Sequence, residues 1–128
     1  MILPGKLELL ELFEVEPVIL DSDVPPSYNT LTFTSVRGQD VVRCQILPGE
    51  GDITFDWTHA GRPKLHLRVG AAETLRVELG RDAEALVAAF SDRSGLVDLR
   101  IQLKPTIRVA WGSADTLGPV SFSLDIPG

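Results

Sequence analysis

Residue patterning points to a mainly β protein: an antiparallel β-sandwich or partly open β-barrel of about eight or nine strands, with one short α-helix over about 83–90. Apolar and polar residues alternate with period 2 along most of the chain, the mark of half-buried strands. Turn-forming clusters interrupt the alternation at Arg37-Gly38-Gln39-Asp40, Pro48-Gly49-Glu50-Gly51-Asp52, Ala60-Gly61-Arg62-Pro63 and residues 112–119. One-sided alternation joined by short turns argues for antiparallel pairing, because parallel strands need long crossovers and read as continuous apolar runs. The 128 residues fit a single domain, 1–128, long enough to bury its own core.

The first segment, residues 7–16, is ambiguous. Glu8, Glu11 and Glu14 recur at every third position, and a helix would gather them into one polar stripe. A strand needs a phase slip near Leu9-Leu10, which a bulge supplies. Gly5 before the segment and Pro17 after it favour the bulged strand. Residues 21–29, with Pro25-Pro26, read as a loop.

Strand signals follow. Leu31 and Phe33 alternate with Thr30, Thr32 and Thr34; Val42, Cys44 and Ile46 alternate with Arg43 and Gln45. Ile53, Phe55 and Trp57 alternate with Thr54, Asp56 and Thr58, and Leu65, Leu67 and Val69 with Lys64, His66 and Arg68. Leu75, Val77 and Leu79 continue the pattern. Asp82 is a plausible N-cap for the helix at 83–90, Glu84 complements its dipole, and Leu86 and Phe90 fall at i and i+4. Val97, Leu99, Ile101 and Leu103 then resume strand alternation, as do Ile107, Val109 and Trp111, and finally Val120, Phe122, Leu124 and Ile126.

Matching apolar faces across short turns sets a register. A loop at Ala60-Gly61-Arg62 puts Trp57 opposite Leu65, Phe55 opposite Leu67 and Ile53 opposite Val69. A second short loop at Ala71-Ala72-Glu73 puts Val69 opposite Leu75 and Leu67 opposite Val77. The other face then carries a row of Asp56, His66 and Glu78 across three strands. Carboxylates flanking an imidazole can hold a proton or, with water, a metal. The plainer reading is a solvated cross-strand charge pairing, since no nucleophile or fourth ligand accompanies the row. The parity of Val42, Cys44 and Ile46 differs from that of Ile53, Phe55 and Trp57, which predicts a bulge or a change of sheet at residues 48–52.

Charge is unevenly spread. Residues 1–23 carry six carboxylates against Lys6 alone, a net charge of −5, while the whole chain is −6. An acidic edge on a nearly neutral body suggests an electrostatic face built on Glu8, Glu11, Glu14 and Glu16; on an edge strand the same charges would simply discourage aggregation. A pI near 4.8 argues against nucleic-acid binding. No apolar run approaches the ~18 residues of a membrane span, and no secretory leader is visible. The single cysteine, Cys44, cannot form an internal disulfide, so a reduced, cytoplasmic compartment is expected. Nine arginines against three lysines suit a GC-rich bacterial genome.

Catalytic signatures are missing: no nucleophile elbow, no P-loop, no dinucleotide fingerprint, no His-Glu-x-x-His. Two histidines and one cysteine cannot close a structural zinc site, and Asp21-Ser22-Asp23 lacks the rest of a calcium loop. Neither a metal nor a cofactor is expected. These features fit a non-catalytic protein-interaction module, either an immunity-type inhibitor of a basic toxin or an assembly or adaptor subunit. Its partner is another protein, basic in character, with a second copy of the chain as a further candidate. The alternative is a small-molecule-binding barrel whose pocket rim would draw on Tyr28, Trp57, His59 and Trp111.

Overall fold

The computed structural model describes residues 1–21, 23–25, 29–91, 93, 96–115 and 118–125, with side chains through Trp111. In chain order its elements are α1 (Lys6–Phe13), β1 (Val18–Ile19), β2 (Leu31–Arg37), β3 (Asp40–Leu47), β4 (Asp52–His59), β5 (Arg62–Val69), β6 (Ala72–Leu79), β7 (Glu84–Phe90), β8 (Leu99–Lys104), β9 (Arg108–Asp115) and β10 (Gly118–Asp125). The strands form two five-stranded antiparallel meanders, ordered β1-β2-β3-β4-β5 and β10-β9-β8-β7-β6. They pack as a sandwich around one apolar core, and neither closes into a barrel.

Alternation sets the first sheet. Phe33 pairs with Cys44, Cys44 with Phe55 and Phe55 with Leu67, so one row of inward side chains crosses four strands. The parity conflict between β3 and β4 needs neither a bulge nor a change of sheet. The connection spans residues 48–51, an even number, and even loops pair odd positions with even ones: Val42 with Trp57, Ile46 with Ile53. At the β4–β5 hairpin the register Trp57–Leu65, Phe55–Leu67 and Ile53–Val69 is as the alternation predicts. Ala60 and Gly61 turn at φ 51° and 78°, and a shift between Trp57 and Thr58 absorbs the odd residue.

Beyond Val69 the expected register is overturned. The chain leaves the first sheet at Gly70 and Ala71, so β6 pairs with β7 and not with β5. A sheet-to-sheet crossing and a hairpin bury the same apolar parity, and alternation alone does not separate them. Gly51 helps hold this crossing. Its carbonyl accepts the Ala72 N–H at 3.0 Å, and its φ is 72°. A Cβ there would sit 2.9 Å from the Ala72 carbonyl oxygen.

Two elements differ in type from expectation. Residues 83–90 do not form a helix; strand β7 takes up Glu84–Phe90, with Ala85, Leu86, Val87 and Ala88 all buried. Spacing of i and i+4 puts Leu86 and Phe90 on one face of a helix, but also on one face of a strand, where even offsets coincide. A strand paired on both sides and covered on both faces reads as a continuous apolar run. Conversely, the favoured bulged strand at residues 7–16 is helix α1. Gly5 is its N-cap, with the Glu8 carboxylate accepting the Gly5 N–H at 3.2 Å. Glu14 closes it in the left-handed conformation, φ 61°, and Pro17 follows the stop.

Leu9, Leu12 and Phe13 form the buried stripe of α1, spaced i, i+3 and i+4. Phe13 stacks on Phe33 with ring centroids 4.4 Å apart. Ahead of the helix, Ile2 forms an isolated parallel bridge to Thr74, so this segment touches both sheets. Cys44 is fully buried, and burial, helped by the Asp56 charge, pushes its thiol up to about 12. No helix among the described residues is long and apolar enough to cross a membrane.

Replacing Gly51 by alanine forces a side chain into the left-handed region and against the Ala72 carbonyl. Urea denaturation is expected to show a loss of about 1–3 kcal/mol with an unchanged m-value.

Candidate protein-docking face

The acidic residues of the first segment ride on α1 and the turn behind it. Glu8, Glu11, Glu14 and Glu16 are all exposed, Glu8 and Glu11 within α1, Glu14 at its C-cap and Glu16 just beyond it. Their roles differ. Glu8 caps the helix start. Glu14 is pinned by Lys104, whose Nζ lies 3.1 Å from Glu14 Oε1 and equally from Glu84 Oε1. The Lys104 hydrogen bond and charge hold the Glu14 carboxyl below its ordinary value. Among the described residues no cation pairs with Glu11 or Glu16.

Two cations from the sandwich secure the helix end. Arg37, at the end of β2, donates from Nη2 to the Leu12 carbonyl at 2.7 Å and from Nη1 to the Leu103 carbonyl of β8. One guanidinium thus joins α1 to both sheets. Lys104 donates to the Glu11 carbonyl at 3.1 Å. These donors satisfy the unpaired carbonyls of the last turn and oppose the negative end of the helix dipole.

Sequence reasoning missed an apolar component of this face. Leu7 is 78% exposed on the far side of α1 from its buried stripe, and Val18 and Leu20 are 71% and 79% exposed around the edge strand β1. Between α1 and β1 runs a groove of about 300 Å³, lined by Leu3, Leu10, Ile19, Leu31 and Phe33, with Glu16 and Lys6 at its margin. The available signal was the excess of leucine in Lys6–Phe13: a one-sided helix needs only Leu9, Leu12 and Phe13 inside, which leaves Leu7 and Leu10 over. An exposed apolar patch rimmed by charge is the usual composition of a protein-binding surface.

The other sequence candidates are dispersed. Asp56 and His66 are cross-strand partners, and His66 Nδ1 contacts Asp56 Oδ1 on an exposed surface. Glu78 is not part of that row. It lies in the second sheet, 3.2 Å from Arg100 and 3.6 Å from Arg76, which also meets Asp98 at 3.5 Å. Of the pocket-rim set, Trp57 and His59 meet at Asp40, while Trp111 lies in the other sheet. Trp57 is buried, with Nε1 donating to Asp40 Oδ1 at 3.0 Å. His59 Nδ1 lies 2.7 Å from the same oxygen; since an ionised carboxylate only accepts, Nδ1 carries the proton. Trp111, in the other sheet, lines a separate cavity of about 270 Å³ with Arg76, Asp98 and Arg100. Tyr28 lies outside the described residues. Among the described residues no hydroxyl or thiol hydrogen-bonds to either imidazole, and no group of three metal-ligating side chains converges.

The chain matches no protein-family model and no curated protein. Among solved structures it is similar to a chain of a contact-dependent growth inhibition toxin–immunity protein complex from Klebsiella pneumoniae 342. The TM-score is 0.70 and the identity 20%, over 96% of this chain and 96% of that one. Likeness at that identity is a likeness of fold.

Asp40 offers a pH test of the scaffold under this face. Burial alone would raise its pKa, but the hydrogen bonds from Trp57 and His59 and the His59 charge outweigh that cost and hold it below the ordinary value. A depressed folded pKa means the stabilisation is present above the unfolded value and is lost as pH falls through the folded one. Asp40→Asn is therefore expected to cost about 1–3 kcal/mol at pH 7, by urea denaturation at a series of pH values, with the gap to the native protein closing below pH about 4.

Proposed function

We propose that this chain is an immunity-type inhibitor, a non-catalytic protein that binds a basic toxin through the α1 face carrying Glu8, Glu11, Glu14 and Glu16. The observation that carries the reading is the fold match, over 96% of both chains, to a member of a toxin–immunity protein complex. One property favours the inhibitor side of such a pair. The chain is acidic, with −5 of its net −6 within residues 1–23.

The free carboxylates of Glu11 and Glu16 attract a basic surface over a Debye length of about 8–10 Å at ordinary salt, speeding encounter more than tightening the final complex. Apolar contact at Leu7, Val18 and Leu20 then supplies burial. A reducing cytoplasm, where Cys44 stays a thiol, is the proposed site of action.

The test is capture of the partner from the native lysate at low salt, followed by expression of that partner alone and with this chain. Growth arrest by the partner, relieved by co-expression, is the expected result; a partner that is harmless alone contradicts the reading. The double variant Glu11→Lys/Glu16→Lys spares the Glu8 cap and the Glu14–Lys104 pair. It is expected to slow association by about tenfold or more in low salt, with the difference shrinking toward 1 M salt, as read by surface plasmon resonance.

A further inference from the structure

The groove between α1 and β1 has features that an acidic patch alone does not explain. Strand β1 is the edge of its sheet, paired only with β2. The Leu20 N–H bonds the Thr30 carbonyl at 3.2 Å, and Val18 stands opposite Thr32. In an antiparallel ladder bonded and non-bonded positions alternate, so the N–H and C=O of Ile19 face away from β2, toward the open edge. Ile19 lines the groove as well, alongside Leu10 and Phe33. β1 is short, only Val18–Ile19, with Pro17 before it, so the open edge offers the N–H and C=O of one residue, Ile19, beside the exposed apolar side chains of Val18 and Leu20.

From this juxtaposition we infer that the groove receives an extended segment of the protein partner, with alternating basic and apolar residues, that adds a strand to the free edge of β1. The Ile19 backbone supplies the hydrogen bonds and the groove takes alternate apolar side chains. Charge selects the occupant. Glu16 and Lys6 line the groove, and the two elements that border it, α1 and β1, belong to residues 1–23 with their net charge of −5, which disfavours both an acidic segment and a second copy presenting the same acidic edge. The groove volume of about 300 Å³ suits a few aliphatic side chains at the low end of binding-site sizes. This inference rests on the protein-inhibitor reading and specifies how the partner is held.

The experiment is an NMR titration of the 15N-labelled full chain with the acetylated, amidated peptide Lys-Leu-Lys-Val-Lys-Leu-Lys, and with its counterpart carrying glutamate for lysine. The basic peptide is expected to shift amides of residues 3–20 and 31–33, including Ile19, and the acidic one to leave them in place. Ile19→Lys, at a half-exposed surface position, is expected to weaken the basic peptide by about tenfold or more with an unchanged melting midpoint. Absence of shifts in the groove, equal response to the acidic peptide, or the same shifts on concentrating the protein alone with dimer in sedimentation would each overturn the inference. The captured partner separates the two readings. If it is toxic and neutralised but binds Ile19→Lys as well as the native chain, the groove inference fails and the inhibitor reading stands. If no toxic partner exists yet the basic peptide fills the groove, the reverse holds.

Discussion

The stack of Phe13 on Phe33, with the Arg37 guanidinium holding the helix end, is the contact on which the rest of the molecule depends. It fixes α1 against the sandwich and gives the acidic residues a rigid support. Without it, Leu9, Leu12 and Phe13 would face water, and each fully buried large apolar side chain is worth about 1.5–3 kcal/mol. Arg37 serves both sheets at once, because its donors reach the Leu12 and Leu103 carbonyls. Lys104 repeats the arrangement one residue further along β8, meeting the Glu11 carbonyl and the Glu14 carboxylate. The helix end is therefore specified by cations that belong to the strands.

The carboxylates of the first segment divide between those tied into the fold and those left unpaired. Glu8 and Glu14 are occupied by the Gly5 cap and by Lys104, whereas no cation among the described residues pairs with Glu11 or Glu16. The second sheet contrasts with this. Its outward charges, Arg76, Glu78, Asp98 and Arg100, form a mutually neutralising network that offers a partner little net field. Charge asymmetry visible in the linear sequence is thus preserved as asymmetry between surfaces.

Much of the strand architecture was legible because period-2 alternation constrains each strand independently. The β4–β5 register followed from Ile53, Phe55 and Trp57 matching Val69, Leu67 and Leu65. Reading failed where two structures satisfy one pattern. A hairpin and a sheet crossing at Gly70 and Ala71 bury the same residues, so Glu78 was assigned to the wrong neighbour. Leu86 and Phe90 share a face in either helix or strand, and tertiary cover over both faces of β7 decided the matter. The acidic half of the proposed face is a matter of composition and stands in the sequence at Glu8, Glu11, Glu14 and Glu16. Its apolar half could not be read there, because a leucine in a groove and a leucine in a core look alike until the helix is docked.

Helix α1 is an integral part of the sandwich and not an appended arm. Native-state hydrogen exchange measures this most directly. The amides of Leu12, Phe13 and Glu14 are expected to exchange with an opening free energy close to that of Phe33 and Phe55 in the core, and Arg37→Met is expected to lower the helix value below the core value. Rapid exchange in α1 of the native chain, independent of denaturant while the strands stay protected, would contradict that expectation.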